Sequence, residues 1–167
     1  MKKVIALLIL LTAMISIVQT KNIAGAPAAP VKGECFQGYI FDKYYEIFPN
    51  EDTNFKFTPT YENVVQAEQI VYDSLILTGK LRMYPPRDYI NQHFTEYQRQ
   101  YRGAIDKQGD SIIYINYLLN YDNFLFNGKD GLALQILSVL DGGSDYWQVQ
   151  VNLTEKTIDW FNVNGEG

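Results

Sequence analysis

The sequence predicts an α+β domain, with one helix packed on one face of a curled antiparallel meander sheet. Three observations carry this. Residues 59–78 hold a single apolar stripe at helical spacing, Val64, Ala67, Val71 and Leu75. The segments after it are rich in Ile, Val, Tyr and Trp and are separated by polar breaks that contain glycine. No repeat or second-domain boundary interrupts them, and strands that follow a lone helix make a layered α+β architecture.

The elements follow in chain order. Met1–Thr20 opens with Lys2 and Lys3 and continues as an apolar run to Val18, the pattern of a secretory signal peptide. The run is short for a retained span of roughly 20 apolar residues, so no stable membrane span is expected after processing. Residues 21–34, rich in Ala, Pro and Gly, are expected to be a flexible linker. The single domain then runs over 35–167. "CFQGYIFDKYYEIF" (35–48) reads as strand and "PNEDTN" (49–54) as a polar break. Thr58 is the expected N-cap and Pro59 the first helical residue, with Glu62 in the first turn. Tyr61, Val65 and Tyr72 widen the apolar stripe, and Gly79 ends the helix. Residues 80–94, with Pro85-Pro86, are expected to be a surface loop.

"YQRQYRGAID" (97–106) and "SIIYINYLL" (111–119) flank a short break with a glycine and read as a hairpin. On the first arm Tyr97, Arg99, Tyr101, Gly103 and Ile105 share one face; Gln98, Gln100, Arg102 and Ala104 share the other. The tyrosines place the first face against the helix. Arg99 is then partly buried and needs a carboxylate partner, whereas Arg102 points to solvent. After a loop over 120–131, "LALQILSVL" (132–140) suits a short helix or a buried strand, and its place before another hairpin favours strand, with "DGGSD" (141–145) the turn. Trp147, Val149, Val151 and Leu153 alternate with polar residues as a half-buried strand. In the last strand, 157–163, Ile158 and Trp160 share one face and Phe161 and Val163 the other. Either both faces carry apolar groups, or a bulge shifts the phase.

Composition excludes several functions. The net charge is −5, and it falls by a further two, to −7, if Lys2 and Lys3 leave with the leader. An acidic chain does not attract phosphate backbones, so no nucleic-acid partner is expected. One His (His93) and one Cys (Cys35) cannot build a zinc site, and no cofactor or metal is implied. Cys35 cannot form an internal disulfide, although an exported odd cysteine allows an intermolecular one. The two aspartates flanking Gly142 and Gly143 argue against phosphate binding there. No carboxylate pair stands out as an acid–base couple.

"FTPTYENVVQAEQIV", "YQRQYRGAIDKQGDSIIYINYL" and "VLDGGSDYWQVQVNLTEKTIDWFNVNG" together resemble a group of small secreted proteins of Bacteroides-type bacteria. The resemblance covers Phe57–Gly165 and implies a cystatin-like fold. It does not extend to the inhibitory wedge of cystatins. "QVQVN" has Gln150 and Asn152 where that wedge has valine and glycine, and Trp160 follows Asp159 instead of proline.

The expected function is a secreted, non-catalytic module, periplasmic or extracellular, that binds a protein, peptide or glycan. Tyr97, Tyr101, Arg102, Trp147 and Trp160 are the candidate binding residues, because exposed aromatics and arginine suit stacking on such ligands. The alternative is a small hydrolase or isomerase with a pocket between helix and sheet, as other cone-shaped α+β folds have.

Overall fold

The computed structural model describes residues 28–45, 53–80, 88–120, 131–139 and 141–165. The expected leader, residues 21–27 of the linker and most of the 120–131 loop lie outside them. The chain is α+β, an unclosed seven-stranded, mostly antiparallel sheet with a few helices. The strands are β1 (Ala29–Lys32), β2 (Gln37–Ile40), β3 (Thr53–Phe57), β4 (Gln98–Asp106), β5 (Ser111–Leu118), β6 (Tyr146–Asn152) and β7 (Thr157–Val163). The helices are α1 (Tyr61–Val71), continued by a π-helical turn over Tyr72–Ile76, and the short α2 (Tyr89–His93) and α3 (Gly131–Leu134).

β4 to β7 form an antiparallel meander. The second edge of β4 is shared. β2 runs parallel along its first half, Gln98–Tyr101, and β3 antiparallel along its second half, Gly103–Asp106. β1 pairs with β2 and ends the sheet. Gly38 faces Arg99 across the parallel pair, and a Cβ there would run into the Arg99 carbonyl. Glycine lets β2 approach this closely.

α1 lies on the inner face through the expected stripe. Val64, Ala67, Val71 and Leu75 are all buried. Tyr61, Val65 and Tyr72 do not widen it; they are exposed. The buried arc instead takes in Glu68 and Ile70, because Glu68 sits one turn after Val64 on the same line. The N-cap is Thr60, two residues later than expected, in a capping box with Asn63. Thr58 is drawn away, its hydroxyl bonding Asp42 and accepting from the Lys43 amide. Gly79, at φ 68°, follows the helix as expected.

Four further expectations are corrected. Ala29–Lys32, placed in the linker, is strand β1, since β2 offers its edge there. Thr53–Phe57, split between a polar break and the helix approach, is strand β3. Residues 89–93, placed in a loop, form α2. Residues 132–139 are not a strand. They begin as the end of α3 and continue without regular structure to Val139. "DGGSD" is therefore no hairpin turn; Gly143–Asp145 is a single 3-10 turn, and Asp141 bridges Gly165.

The phase question in β7 is resolved by a bulge. The register shifts between Gln150 and Val151, so Ile158 joins Phe161 and Val163 against the inner core. Trp160 is left on the outer face, 47% exposed.

Candidate functional site

Each face of the sheet carries a cross-strand row that begins with an arginine, a tyrosine and later a tryptophan. On the inner face, Arg99, Tyr117 and Trp147 stand side by side on β4, β5 and β6. On the outer face the row is Arg102, Tyr114, Gln150 and Trp160, across β4 to β7.

The inner row is closed. Arg99, Tyr117 and Trp147 are fully buried. Trp147 stacks on Tyr117 at 3.7 Å with the rings 4° from parallel. The Arg99 guanidinium lies near both the Phe94 and the Tyr117 rings, 5.0 and 5.1 Å from their centres. It donates to the carbonyls of Tyr97, Phe94 and Cys35. Its Nε is 3.5 Å from Glu68 Oε1, an ionic separation longer than a formed hydrogen bond. The same Oε1 accepts from the hydroxyls of Tyr101, at 2.8 Å, and Tyr117, at 3.2 Å. Burial raises the Glu68 pKa, and the Arg99 charge opposes that rise. Burial likewise pushes both tyrosine hydroxyls well above their usual range. Glu68 is thus the carboxylate that the buried arginine required. Only the line Val64–Glu68–Val71–Leu75 pointed to it in the sequence.

A second polar cluster lies at the end of the sheet near α2. Tyr89 donates to Asp145 at 2.7 Å, and Asp145 also accepts from Asn120. The bond to Asp145 pushes the Tyr89 hydroxyl up to about 12. A phenol so held stays protonated and ties α2 to the 3-10 turn. The His93 ring lies tilted against Tyr89, 4.5 Å centre to centre, and pairs with Glu96.

The outer face divides into a covered half and an open half. Over the first half, Gln100 and Asn116 reach out to the backbone of 132–137. The Gln100 amide donates to the Leu132 and Gln135 carbonyls, and its oxygen accepts from the Leu137 amide. Asn116 donates to Leu137, while Leu132 packs with Leu118 and Tyr146. The segment expected to be a strand is thus held by side-chain amides instead of by a ladder.

The open half is the Arg102 row. Arg102 is half-buried, with its guanidinium 5.2 Å from the centre of the Tyr114 ring. Where β2 and β3 both end, a shallow cleft beside Arg102 and Tyr114 is lined also by Asp42, Lys43, Tyr45 and Lys56.

The five sequence candidates therefore separate. Tyr97, Tyr101 and Trp147 are wholly buried and serve the core; no ligand can stack on them while the domain is folded. Their side chains point to the helix face, where large aromatic area is covered first. Arg102 and Trp160 come together on the outer row. Tyr114 and Gln150, which complete it, went unnoticed because alternation shows a shared face but not which residues on different strands stand abreast.

Among the described residues no helix is long and apolar enough to cross a membrane, and no group of His, Cys, Asp or Glu could hold a metal ion. No family model, curated protein or solved structure matches the chain.

Proposed function

We propose that the protein is an exported, non-catalytic binding module with a cystatin-like fold, related to the small secreted proteins of Bacteroides-type bacteria that it resembles. The strand–helix–meander order from β3 through β7 supports that fold, with β1 and β2 as additions at one edge. The export reading rests on Met1–Thr20, and N-terminal sequencing of the native protein tests it. An intact Met1 would overturn it.

The observation that carries the binding reading is the outer row. Arg102, Tyr114, Gln150 and Trp160 present a cation, two aromatic rings and an amide on one half-open sheet face. Such groups serve recognition when not used in a core. The space between α1 and the sheet is filled by Val64, Val71, Leu75, Tyr101 and Trp147. The polar groups there, Glu68, Arg99, Tyr101 and Tyr117, converge on one another, which supports reading this layer as packed core.

The test compares wild type with the R102A/W160A double variant, both immobilised and exposed to envelope and culture-supernatant fractions. The ligand, whether protein, peptide or glycan, should be retained by wild type and lost from the variant. Equal retention by both would place binding elsewhere on the molecule.

A further inference from the structure

We propose that the outer face holds a second site, a row of side-chain amides that reads the main chain of a peptide. The 131–139 segment fills it in cis until an uncharged, apolar peptide of a partner protein takes its place. The inference does not depend on the Arg102 row.

Four carboxamides stand abreast, one on each strand of the meander: Gln100 on β4, Asn116 on β5, Gln148 on β6 and Asn162 on β7. A carboxamide carries donor and acceptor in one plane, as a peptide unit does, so it bonds a passing backbone whatever the side chains. The first two already do this. The Leu137 amide donates to Gln100 Oε1 at 3.0 Å, and the Leu137 carbonyl accepts from Asn116 Nδ2 at 2.7 Å. The Tyr45 hydroxyl accepts from the Ile136 amide and donates to the Leu134 carbonyl. Asn164 donates to the Val139 carbonyl. All of these bonds go to the main chain of the segment. Its side chains add Leu132, buried against Leu118 and Tyr146, with Leu137 and Val139 partly buried beside them.

The segment uses the row incompletely. Asn116 Oδ1 is buried and accepts no hydrogen bond, an uncommon state for a buried polar atom. The half-buried Gln148 amide and the exposed Asn162 amide make no side-chain hydrogen bond among the described residues. A peptide that follows the row from Gln100 to Asn162 crosses three strand spacings, about 14 Å, or about four extended residues. Its N–H groups satisfy Asn116 Oδ1, and its main chain engages the last two amides. Main-chain bonds of this kind give affinity, and the positions of the apolar side chains give specificity. The partner peptide therefore repeats the apolar spacing of Leu132, Leu137 and Val139.

The experiment adds to the purified protein a blocked, labelled peptide with the sequence of residues 131–139 extended by Val-Thr-Val-Thr. Fluorescence anisotropy reads binding, and hydrogen exchange at the protein's own Leu137 amide reads displacement of the segment. Binding should saturate and should speed that exchange. Leu132→Ala loosens the segment without touching the amides, raises the fraction of open sites and should tighten binding roughly tenfold. Gln148→Leu, at an amide the segment does not use, should weaken binding roughly fivefold and leave the thermal midpoint of the protein unchanged. A peptide N-methylated at the position of Leu137 keeps every side chain but lacks the N–H that Gln100 accepts, and should lose binding. Binding with unchanged Leu137 exchange would place the peptide elsewhere and overturn the inference. Equal binding of the N-methylated peptide would overturn main-chain reading, and no binding to wild type would overturn the site. These three outcomes need only the wild-type protein, so they decide the matter even where L132A does not fold. A wild-type dimer that the peptide dissociates would make the occupant a second copy's 131–139 segment and overturn the separate partner.

Discussion

The inner and outer faces of the sheet begin with the same chemistry and put it to opposite uses. Arg99 stands beside Tyr117 and Arg102 beside Tyr114, with guanidinium-to-ring distances of 5.1 and 5.2 Å. The two arginines lie three positions apart, and that odd spacing sends one to each face. On the inner face α1 covers the row and brings Glu68, so the pair becomes a buried electrostatic tie between helix and sheet. On the outer face the 131–139 segment covers Gln100, Asn116, Leu118 and Tyr146, and the Arg102 row stays half-open. An Arg–Tyr pair therefore has no role of its own. What covers it decides whether it holds the fold or meets a ligand.

The largest expected effect breaks the inner row. Arg99→Ala leaves Glu68 buried without its counter-charge and should cost about 3–5 kcal/mol, measured by urea denaturation. Replacing both partners, in E68M/R99M, should recover much of that loss, because the cost lies in the orphaned charge more than in the missing attraction. An R99A loss below about 1 kcal/mol, the worth of an exposed pair, would erase the distinction between the faces.

Next in size is the strap over the covered half. Gln100→Leu removes the partners of the Leu132 and Gln135 carbonyls and the Leu137 amide. We expect a cost of about 2 kcal/mol and faster hydrogen exchange at Leu137. Unchanged exchange there would mean that Asn116, Tyr45 and the apolar contacts of Leu132 hold the segment without Gln100.

The third prediction uses pH. The Glu68 pKa in the folded protein lies above its ordinary 4.5, chiefly through burial. Between the two values the folded state holds more protons than the unfolded one, so stability falls as pH rises through that window. The contribution is fully present below 4.5 and lost above the raised pKa. E68Q has no such titration. The stability of wild type relative to E68Q should therefore decline from acid toward neutral pH in urea titrations. A difference that stays constant would show that Glu68 is not held in a desolvated site.

The smallest effect sharpens the contrast from the outer side. Arg102→Ala should unfold within about 0.5 kcal/mol of wild type, as surface changes usually do. A loss comparable to that of R99A would make the outer row structural and remove it as a binding face.

Much of this was set by local pattern. The helical stripe, the alternation in β4 to β6 and the opposite aim of Arg99 and Arg102 follow from periods of 3.6 and 2, which need no distant partner. The two possible phases of β7 were also visible; which held depended on whether a bulge formed against β6. The sequence by itself thus determined a helix on a strand meander and the need for a carboxylate beside Arg99. Tertiary structure alone decided that this carboxylate is Glu68, that β2 and β3 divide one edge of β4, and that 132–139 is held by amides and not as a strand. It also decided that Tyr97, Tyr101 and Trp147 are core while Arg102 and Trp160 share an outer row. These outcomes depend on contacts between residues distant in the chain. A side chain's period tells which way it points, but burial depends on which distant segment arrives to cover it.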